Sequence, residues 1–418
     1  MQTTTNAAVA IPSPANTNPA PALNAVVERA PLAAAIASAA RVAERRGAIP
    51  VLTGAMIRAV PGGIEVQATD LDRVTTTFVA GAADPGLAVI LPCHKLHDLL
   101  RKVKATEHVG LCVTGESAAL DFEGLKVTMP AVRPVADWPT PLAKREGTIA
   151  RFDLPSADAL ALLGKPMHAV STEETRYYLN GVYLTAVVRP EGPNTLRAVA
   201  TDGHRMVTID KPLPIGAGDL KGGIVPLAAV AELVKLISAK GAPESVELAI
   251  CGTQIEARIG GTVLRSKLID GTFPDYTRVM VAAANKARAI FSREAMADAV
   301  AQVLAVREKD QRSVGFEFSA EESTVRVYVR GVEADEPSAE LRVPCQFEAG
   351  RSPPAEKGAD WIPITAVSIG FNGKYVLDML ATMAGDDVTW FMDHAGNPIR
   401  AEAAGTPGLV AILMPMRV

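Results

Sequence analysis

The sequence predicts an α+β protein built from three tandem domains. Three features indicate this architecture: an alternating strand that recurs, two kinds of helix-like stretch that each occur three times, and paired alternating strands near the end of each unit. The repeating unit is about 130 residues long, which is close to the common size of a domain. We therefore expect three domains of similar design.

The recurring strand is found in GIEVQATDLDRV (63–74) and again in TLRAVATDGHRM (195–206). Both segments alternate apolar and polar residues, as half-buried strands do, before they reach Ala-Thr-Asp. The shared Thr-Asp pair is expected to close a turn by hydrogen bonds from side chain to backbone. Only the second copy continues with Gly-His-Arg, so those three residues need a separate explanation.

Two helix-like stretches accompany each unit. The first kind is rich in small residues, as in LAAAIASAARVAERR, ADALALLGKPMHAV and EAMADAVAQVLAV. The second kind places apolar residues at helical spacing after a short extended lead, as in LPCHKLHDLLRKV, VPLAAVAELVKLI and FNGKYVLDMLATM. Paired alternating strands follow the second helix of each unit, for example in GLCVTGESAALDFEGLKVTM. Each domain should therefore contain two helices and several antiparallel strands.

The domain boundaries are predicted at short connections of small or polar residues, PLAKREGT (141–148) and VAAANKAR (281–288). Residues 1–22 are rich in Ala, Pro, Thr and Asn and have neither a basic n-region nor an apolar h-region, so we expect a disordered extension and not a signal peptide. The predicted domains are residues 23–144, 149–280 and 286–418.

The composition favours a cytoplasmic globular protein with no membrane span, because 48% of the residues are hydrophobic and no apolar run approaches the roughly 18 residues of a spanning helix. Its four cysteines lie far apart, which argues against a disulfide framework or a zinc knuckle. The net charge of −4 argues against a nucleic-acid partner only if the charge is evenly spread, and basic residues do cluster, for example in Arg41, Arg45 and Arg46.

Two chemical hypotheses can be weighed from the residues alone. Asp202, His204 and Arg205 suggest a hydrolytic enzyme, but the chain has no GxSxG, no P-loop and no GxGxxG after a strand to complete a catalytic site. Cys93, His94 and His97 suggest a metal site, but no fourth ligand follows at suitable spacing. A strand-to-helix junction is the simpler interpretation of that second group.

Four motifs then carry a resemblance to a known family: TRYYLNGVYL (175–184), VATDGHRM (199–206), LIDGTFPDYTRV (268–279) and the terminal MPMRV (414–418). In this order they resemble the bacterial β sliding clamps, the processivity subunits of DNA polymerase III, and the resemblance extends from about residue 22 to the end. It implies three clamp domains with helices lining a lumen and antiparallel sheets outside. Two subunits would close head to tail into a homodimeric ring around double-stranded DNA, without catalysis, cofactor or metal.

The chain also departs from the family pattern. It has the N-terminal extension, extra residues near 187–195 and a Pro/Gly-rich insertion at 346–361. Met206 and Val418 stand where leucine is more usual. These differences bear on the shape of the neighbouring pocket and leave the motifs intact.

The resemblance also implies the functional residues. A pocket for partner peptides is expected between the second and third domains, formed by Leu179, Thr201, Gly203, His204, Arg205, Met206, Pro274, Val279, Asn372, Tyr375, Val410, Met414, Pro415, Met416 and Arg417. DNA is expected to contact Arg46, Arg176, Tyr177 and Tyr178, with Arg41, Lys235 and Lys240 as weaker candidates. The dimer interface is expected at Val127, Met129, Leu304 and Ala305, with Glu333 and Glu336 at its rim.

The partners implied by the resemblance are double-stranded DNA, bound without sequence preference, the catalytic subunit of DNA polymerase III, an ATP-driven clamp loader, and other polymerases and repair proteins. The proteins would dock through short linear motifs that end in bulky hydrophobic residues.

Overall fold

The computed structural model describes residues 22–139, 142, 149–284, 286–308, 312–331, 337–352 and 361–417. The chain divides into two compact units, of which the second contains Leu71–Val74 and the described residues after 141. The first 21 residues, Glu333, Glu336, Val418 and residues 353–360 of the predicted insertion lie outside the described residues. Helices and antiparallel sheets together confirm the predicted α+β class. The three-domain division stays a prediction.

The first unit combines two helices with two antiparallel sheets. Its strands are hydrogen bonded in the orders β8-β7-β6-β1-β4 and β4-β3-β2-β5. Its elements are β1 (Leu23–Glu28), α1 (Arg29–Val42), β2 (Gly54–Val60), β3 (Gly63–Thr69), β4 (Arg73–Ala83), β5 (Ala88–Pro92), α2 (Cys93–Lys102), β6 (His108–Thr114), β7 (Ser117–Phe122) and β8 (Leu125–Pro130).

The two helices of this unit bury the faces that the sequence pattern predicts. Helix α1 turns Leu32, Ala35, Ile36 and Ala39 inward, at the spacing of one helical face. Helix α2 buries Cys93, Leu96 and Leu100 in the same core. The alanines of α1 have little side-chain bulk, so this helix can lie close to its neighbours.

The second unit repeats this design twice. Its helices are α3 (Ser156–Gly164), α4 (Leu227–Ile237), α5 (Arg293–Leu304) and α6 (Gly373–Thr382). Its strands up to residue 292 are β9 (Ala150–Pro155), β10 (Gly181–Val187), β11 (Thr195–Thr201), β12 (Arg205–Pro212), β13 (Gly223–Pro226), β14 (Ser245–Ile250), β15 (Gln254–Ile259), β16 (Thr262–Lys267) and β17 (Ala287–Ser292). The remaining strands are β18 (Ser313–Ser319), β19 (Thr324–Val329), β20 (Ala339–Glu348), β21 (Gly350–Ser352), β22 (Ile362–Ile364), β23 (Ala366–Asn372), β24 (Asp387–Met392), β25 (Ile399–Glu402) and β26 (Leu409–Leu413).

One long sheet dominates the second unit. Its order is β13-β10-β11-β12-β26-β25-β24-β17-β20-β19-β18-β23. Strands β16-β15-β14-β9 pair in a separate run, and β21 pairs with β22. The core of this unit contains the aromatic side chains of Trp390, Phe316 and Phe371, packed with ring centroids 5.3 to 5.9 Å apart.

The stretch ADALALLGKPMHAV differs from its prediction as one helix-like element. Helix α3 ends at Gly164, and a 3₁₀-helix follows at Lys165–Ala169. Pro166 has no backbone N–H to donate to the preceding turn, which favours a change of helix type here. No helix within the described ranges is both long enough and apolar enough to cross a membrane.

The register of β12 and β26 positions the candidate site. Met206 lies opposite Ile412, and Thr208 lies opposite Val410. Opposed residues of an antiparallel pair point to the same face of the sheet. Val199 on β11 lies opposite Thr208, so these side chains share one face.

Candidate functional site

The turn between β11 and β12 is built by Thr201 and Asp202, as the sequence predicts. Asp202 Oδ1 accepts hydrogen bonds from the backbone N–H groups of His204 (2.9 Å) and Arg205 (3.0 Å). Thr201 Oγ1 accepts from Gly203 N–H (3.1 Å) and donates to the Arg205 carbonyl (2.7 Å). These polar groups are therefore used to hold the chain reversal.

Glycine is favoured at position 203 of this turn for two reasons. Its φ of +89° lies in the left-handed region that favours glycine. A Cβ atom at this position would also lie only 2.7 Å from Nη1 of Arg176. Arg176 donates to the Asp202 carbonyl (3.2 Å) and to both carboxylate oxygens of Glu173 (2.8 Å each), so it braces the turn from outside.

Arg205 links the start of β12 to helix α6. Its Nε donates to Asp202 Oδ2 (2.9 Å) and its Nη1 donates to Asp378 Oδ2 (2.8 Å). The guanidinium carbon lies 4.1 Å from the ring centroid of Tyr375, a distance suited to a cation–π contact. Only 10% of the Arg205 side chain is exposed, so it forms a fixed wall.

His168 also contacts the guanidinium group of Arg205. Its Nδ1 lies 3.3 Å from Arg205 Nη1, and because a guanidinium can only donate, Nδ1 must accept and the neutral ring carries its proton on Nε2. Burial, together with the positive charge of Arg205, lowers the pKa of His168 to about 4. The ring is therefore neutral at physiological pH.

We call the buried part of the site the apolar floor. It consists of Leu179, Val199, Met206, Ile224, Phe273 and Ile412, which form one packed cluster. Leu179 and Met206 are only 4% and 2% exposed. Val410 packs against the margin of this cluster. Separate stretches of sequence therefore form the floor.

We call the three exposed apolar side chains of the predicted pocket the rim: Val279, Met414 and Met416, each exposed by 40 to 42%. Met414 N–H donates to the His204 carbonyl (2.9 Å), and Met416 N–H donates to the Gly370 carbonyl (2.8 Å). The C-terminal segment is thus held by its backbone, and these two methionine side chains stay accessible.

Three more of the predicted pocket residues lie on or near the surface of the site. His204 is exposed at the turn, and Arg417 is exposed at the end of the described chain. Pro415 is half-buried between the two methionines of the rim. His204 and Arg417 therefore differ in kind from the floor residues, because their polar groups are accessible.

The remaining predicted residues lie next to floor or floor-packing residues along the chain, or at the start of α6. Pro274 follows Phe273, which is part of the floor, and Val279 precedes Met280, which packs against it. Asn372 caps α6 by accepting from Lys374 N–H (3.0 Å). The side-chain oxygen of Asn372 is therefore used to begin the helix that carries Tyr375.

Sequence reasoning missed Ile412, Asp378 and His168. Ile412 is fully buried in the floor, whereas the predicted Val410 lies two residues earlier at its margin. Strand alternation places both on one face, and only the pairing of Ile412 with Met206 distinguishes them. Asp378 and His168 carry no signal of this kind, because they reach Arg205 from positions far apart along the chain.

The predicted DNA-contacting residues occupy different environments. Arg46 is exposed after α1 in the first unit. In the second unit Tyr177 is exposed and meets Tyr178 edge to face, with the ring centroids 5.8 Å apart. Tyr178 packs against the apolar floor, and Arg176 is engaged by Glu173. Arg46 and Tyr177 are thus the accessible members of the predicted set.

The predicted dimer residues lie on one strand and at one helix end. Val127 on β8 is half-buried and Met129 is buried in the core of the first unit. Leu304 ends α5, packs against the core of the second unit, and is followed by exposed Ala305.

The residues of the two alternative hypotheses, a hydrolytic site and a metal site, do not form such sites in the part of the chain that the structure describes. Burial raises the pKa of the Cys93 thiol to about 12, and His94 Nε2 lies 3.1 Å from the Ala43 carbonyl oxygen. Across the described ranges no three His, Cys, Asp or Glu side chains are grouped so that they could hold a metal ion. Asp202 is occupied by backbone N–H groups and by Arg205, which leaves it poorly placed to act as a base.

Family models match two parts of the chain. Residues 23–140 match the N-terminal domain of the DNA polymerase III beta subunit, and residues 154–275 match its central domain. The beta sliding clamp of Caulobacter vibrioides is 32% identical over 394 residues, covering 94% of this chain and 99% of that protein. The beta sliding clamp of Escherichia coli is 26% identical over 378 residues, covering 89% and 94%.

Solved structures agree with these relatives. A sliding clamp (DNA polymerase III subunit beta) from Bartonella birtlesii bound to griselimycin has a TM-score of 0.84 at 30% identity and covers 95% of this chain and all of that one. A Caulobacter crescentus beta sliding clamp, with polyethylene glycol bound to its putative beta-motif tethering region, has a TM-score of 0.84 at 29% identity, covering 95% and 99%.

Proposed function

This chain belongs to the DNA polymerase III beta subunits, the bacterial beta sliding clamps, and we propose that it docks its protein partners in one pocket beside its C-terminus. Members of this family are non-catalytic processivity factors of DNA replication. The chain is therefore a DNA sliding clamp, and the hydrolytic alternative has no support. Membership implies partnership with DNA and the replicative polymerase and a homodimeric ring.

The observations that carry the proposed pocket are the buried apolar floor and two exposed methionines, of which Met414 is hydrogen bonded through its backbone N–H to the His204 turn. Methionine side chains are flexible and polarizable, so they can adapt to different apolar partners. His204 and Arg417 supply accessible polar groups that orient a bound segment, and the fixed Arg205 forms a wall. We propose that short motifs ending in bulky hydrophobic residues bind here, from the polymerase, an ATP-driven clamp loader, other polymerases and repair proteins.

Removing residues 414–418 tests this pocket. The affinity of the truncated chain for a partner-derived peptide should be almost abolished. A groove of this kind concentrates its binding energy in a few apolar anchors, each worth about 2 kcal/mol or more. His204→Ala should weaken the same peptide only modestly, since the floor remains. Isothermal titration calorimetry measures both effects. An unchanged affinity after truncation would refute the pocket.

We propose that internal repetition also defines the ring contact. In the second unit the last strand of one repeat, β26, pairs with the long strand of the repeat before it, β12. The last strand of the first repeat is β8, which corresponds to β26 of the third repeat. The strand of the third repeat that corresponds to β12 is β20. Pairing β8 of one copy with β20 of another would repeat the β12–β26 contact and close a head-to-tail ring.

The proposed ring gives the mechanism a topological basis. A closed ring cannot leave the duplex sideways, so a tethered polymerase that detaches is recaptured at high effective concentration. Arg46 and Tyr177 are proposed to face the DNA. Phosphate contacts suit such a protein because they carry no sequence information and allow sliding.

A further inference from the structure

Four arginines converge on the sheet face that carries the apolar floor. Arg197 on β11 lies opposite Asp210 on β12, and Arg400 on β25 lies opposite Ile412 on β26. Arg288 on β17 belongs to the same face, because it lies opposite Phe391, which in turn lies opposite Arg400. Arg189 reaches this face from the loop after β10 and, with the other three, lines a cavity of about 720 Å³.

Guanidinium groups outnumber carboxylates in this cavity, which we call the arginine cleft. Its acidic lining residues are Asp210 and Glu402. Asp210 serves two arginines, accepting from Arg197 at 2.6 and 2.7 Å and from Arg189 at 2.9 Å. Burial acts to raise the pKa of Asp210, but the hydrogen bonds and charges of these arginines outweigh it and lower the pKa.

The other two arginines each have one carboxylate partner, so the excess positive charge comes from Arg189 and Arg197, which share Asp210. Arg400 pairs with Glu402, and Arg288 pairs at 3.0 Å with Glu348, which lies outside the lining. The side chain of Arg288 is 45% exposed, so its remaining donors are accessible. The cleft therefore presents several N–H donors and an excess of positive charge to whatever enters it.

The arginine cleft adjoins the apolar floor. Val410 and Met280 line the cleft, and both also pack against the apolar floor. Arg400 Nη1 donates to the Val281 carbonyl (3.0 Å), and the Arg197 guanidinium lies 5.9 Å from the ring centroid of Tyr276. The segment 276–281 thus contacts both the floor and the cleft.

We propose that the arginine cleft binds acidic residues flanking the hydrophobic motif of a partner peptide. Arginine pairs with carboxylates through two parallel hydrogen bonds, so the cleft suits Asp or Glu side chains. The inference rests on the proposed pocket, because the motif in the floor holds the acidic flank at the cleft. A tightly bound partner would then need acidic residues beside the apolar motif that binds the floor.

Two matched peptide sets test the proposal on the full-length dimer. Each peptide has the same hydrophobic motif and four additional residues, either all Glu or all Gln, at its N-terminal or its C-terminal end. At one of the two ends, Glu should bind about fivefold or more tightly than Gln at low salt, as expected of partly exposed ion pairs. The advantage should shrink at high salt, where charges are screened. Fluorescence anisotropy gives the affinities.

Arg189→Gln/Arg288→Gln is the diagnostic variant, because Arg197 still neutralises Asp210 in it. It should lose the preference for Glu and bind the Gln peptides as the wild type does. Arg258→Gln on β15 removes a similarly exposed arginine elsewhere and should keep the preference. Equal binding of Glu and Gln peptides at both ends, or a preference that survives in the double variant, would overturn the proposal. Failure of every peptide to bind would instead refute the pocket, and the inference with it.

Discussion

At the residue scale, Arg205 shows how a wall of the proposed pocket is kept rigid. Its guanidinium bonds to Asp202 on its own turn and to Asp378 on α6, and it stacks on Tyr375. Each contact uses a different part of the group, which a lysine could not reproduce. A buried charge that loses a partner is strongly destabilising, so these residues act as one unit.

His168 gives a prediction for pH dependence. Its pKa is about 4 in the folded chain and 6.5 ordinarily, so between these values the unfolded chain binds a proton that the folded chain does not. The free energy of unfolding should therefore fall as the pH drops from about 6.5 to about 4. His168→Asn keeps an acceptor for Arg205 but cannot titrate. We expect its stability loss between pH 7 and pH 5, measured by urea denaturation, to be smaller by about 2 kcal/mol. An equal loss in both proteins would contradict this role.

The local residues of the site could be predicted, and the distant ones could not. Thr201 and Asp202 build their turn through neighbours within four residues, so their pattern alone carries the information. Asp378 is 173 residues from Arg205, and no periodicity links them. Contacts of this kind depend on how α6 docks, which is a property of the whole fold.

At the element scale, strand repetition carries most of the predictable structure. The alternating runs that end at Thr69 and Thr201 form β3 and β11, and the helix-like stretches overlap α1 to α6, although α1, α3 and α5 begin one to three residues earlier than predicted. The break at Pro166 and the choice of Ile412 over Val410 needed the structure. Helix type at a proline and register between distant strands are decided by packing, which the local pattern does not encode.

The proposed ring contact makes strand β8 a test site. Val127→Asp would place a carboxylate in the proposed interface, where burial without a partner costs several kcal/mol. We expect sedimentation velocity to show monomers at concentrations where the wild type is dimeric. Leu125→Asp, at a more exposed position of the same strand, is the second variant in case Val127→Asp does not fold. Val188→Asp, which changes an exposed valine in a loop, is the matched control and should stay dimeric. Dimers in a folded Leu125→Asp variant would refute the assignment.

At the scale of the whole molecule, the charge balance fits a protein that surrounds DNA without gripping it. The net charge is −4, yet Arg46 lies exposed in a basic stretch after α1. Local positive charge can attract phosphates while the net charge stays negative. Strong binding to DNA is unnecessary if retention depends on closure of the ring.

Topological retention is the last prediction. The protein, loaded onto a nicked circular plasmid by the proposed clamp loader, should stay bound through gel filtration at a salt concentration that disrupts phosphate contacts, because a closed ring needs no attractive force to remain. Cutting the plasmid once should release the protein by sliding off the ends. Arg46→Ala should leave this retention unchanged and weaken only the salt-sensitive contact with DNA. The dimer-breaking Leu125→Asp variant should be lost from circular and linear DNA alike. Retention on linear DNA equal to that on the circle would mean that the protein is held by binding and not by encirclement.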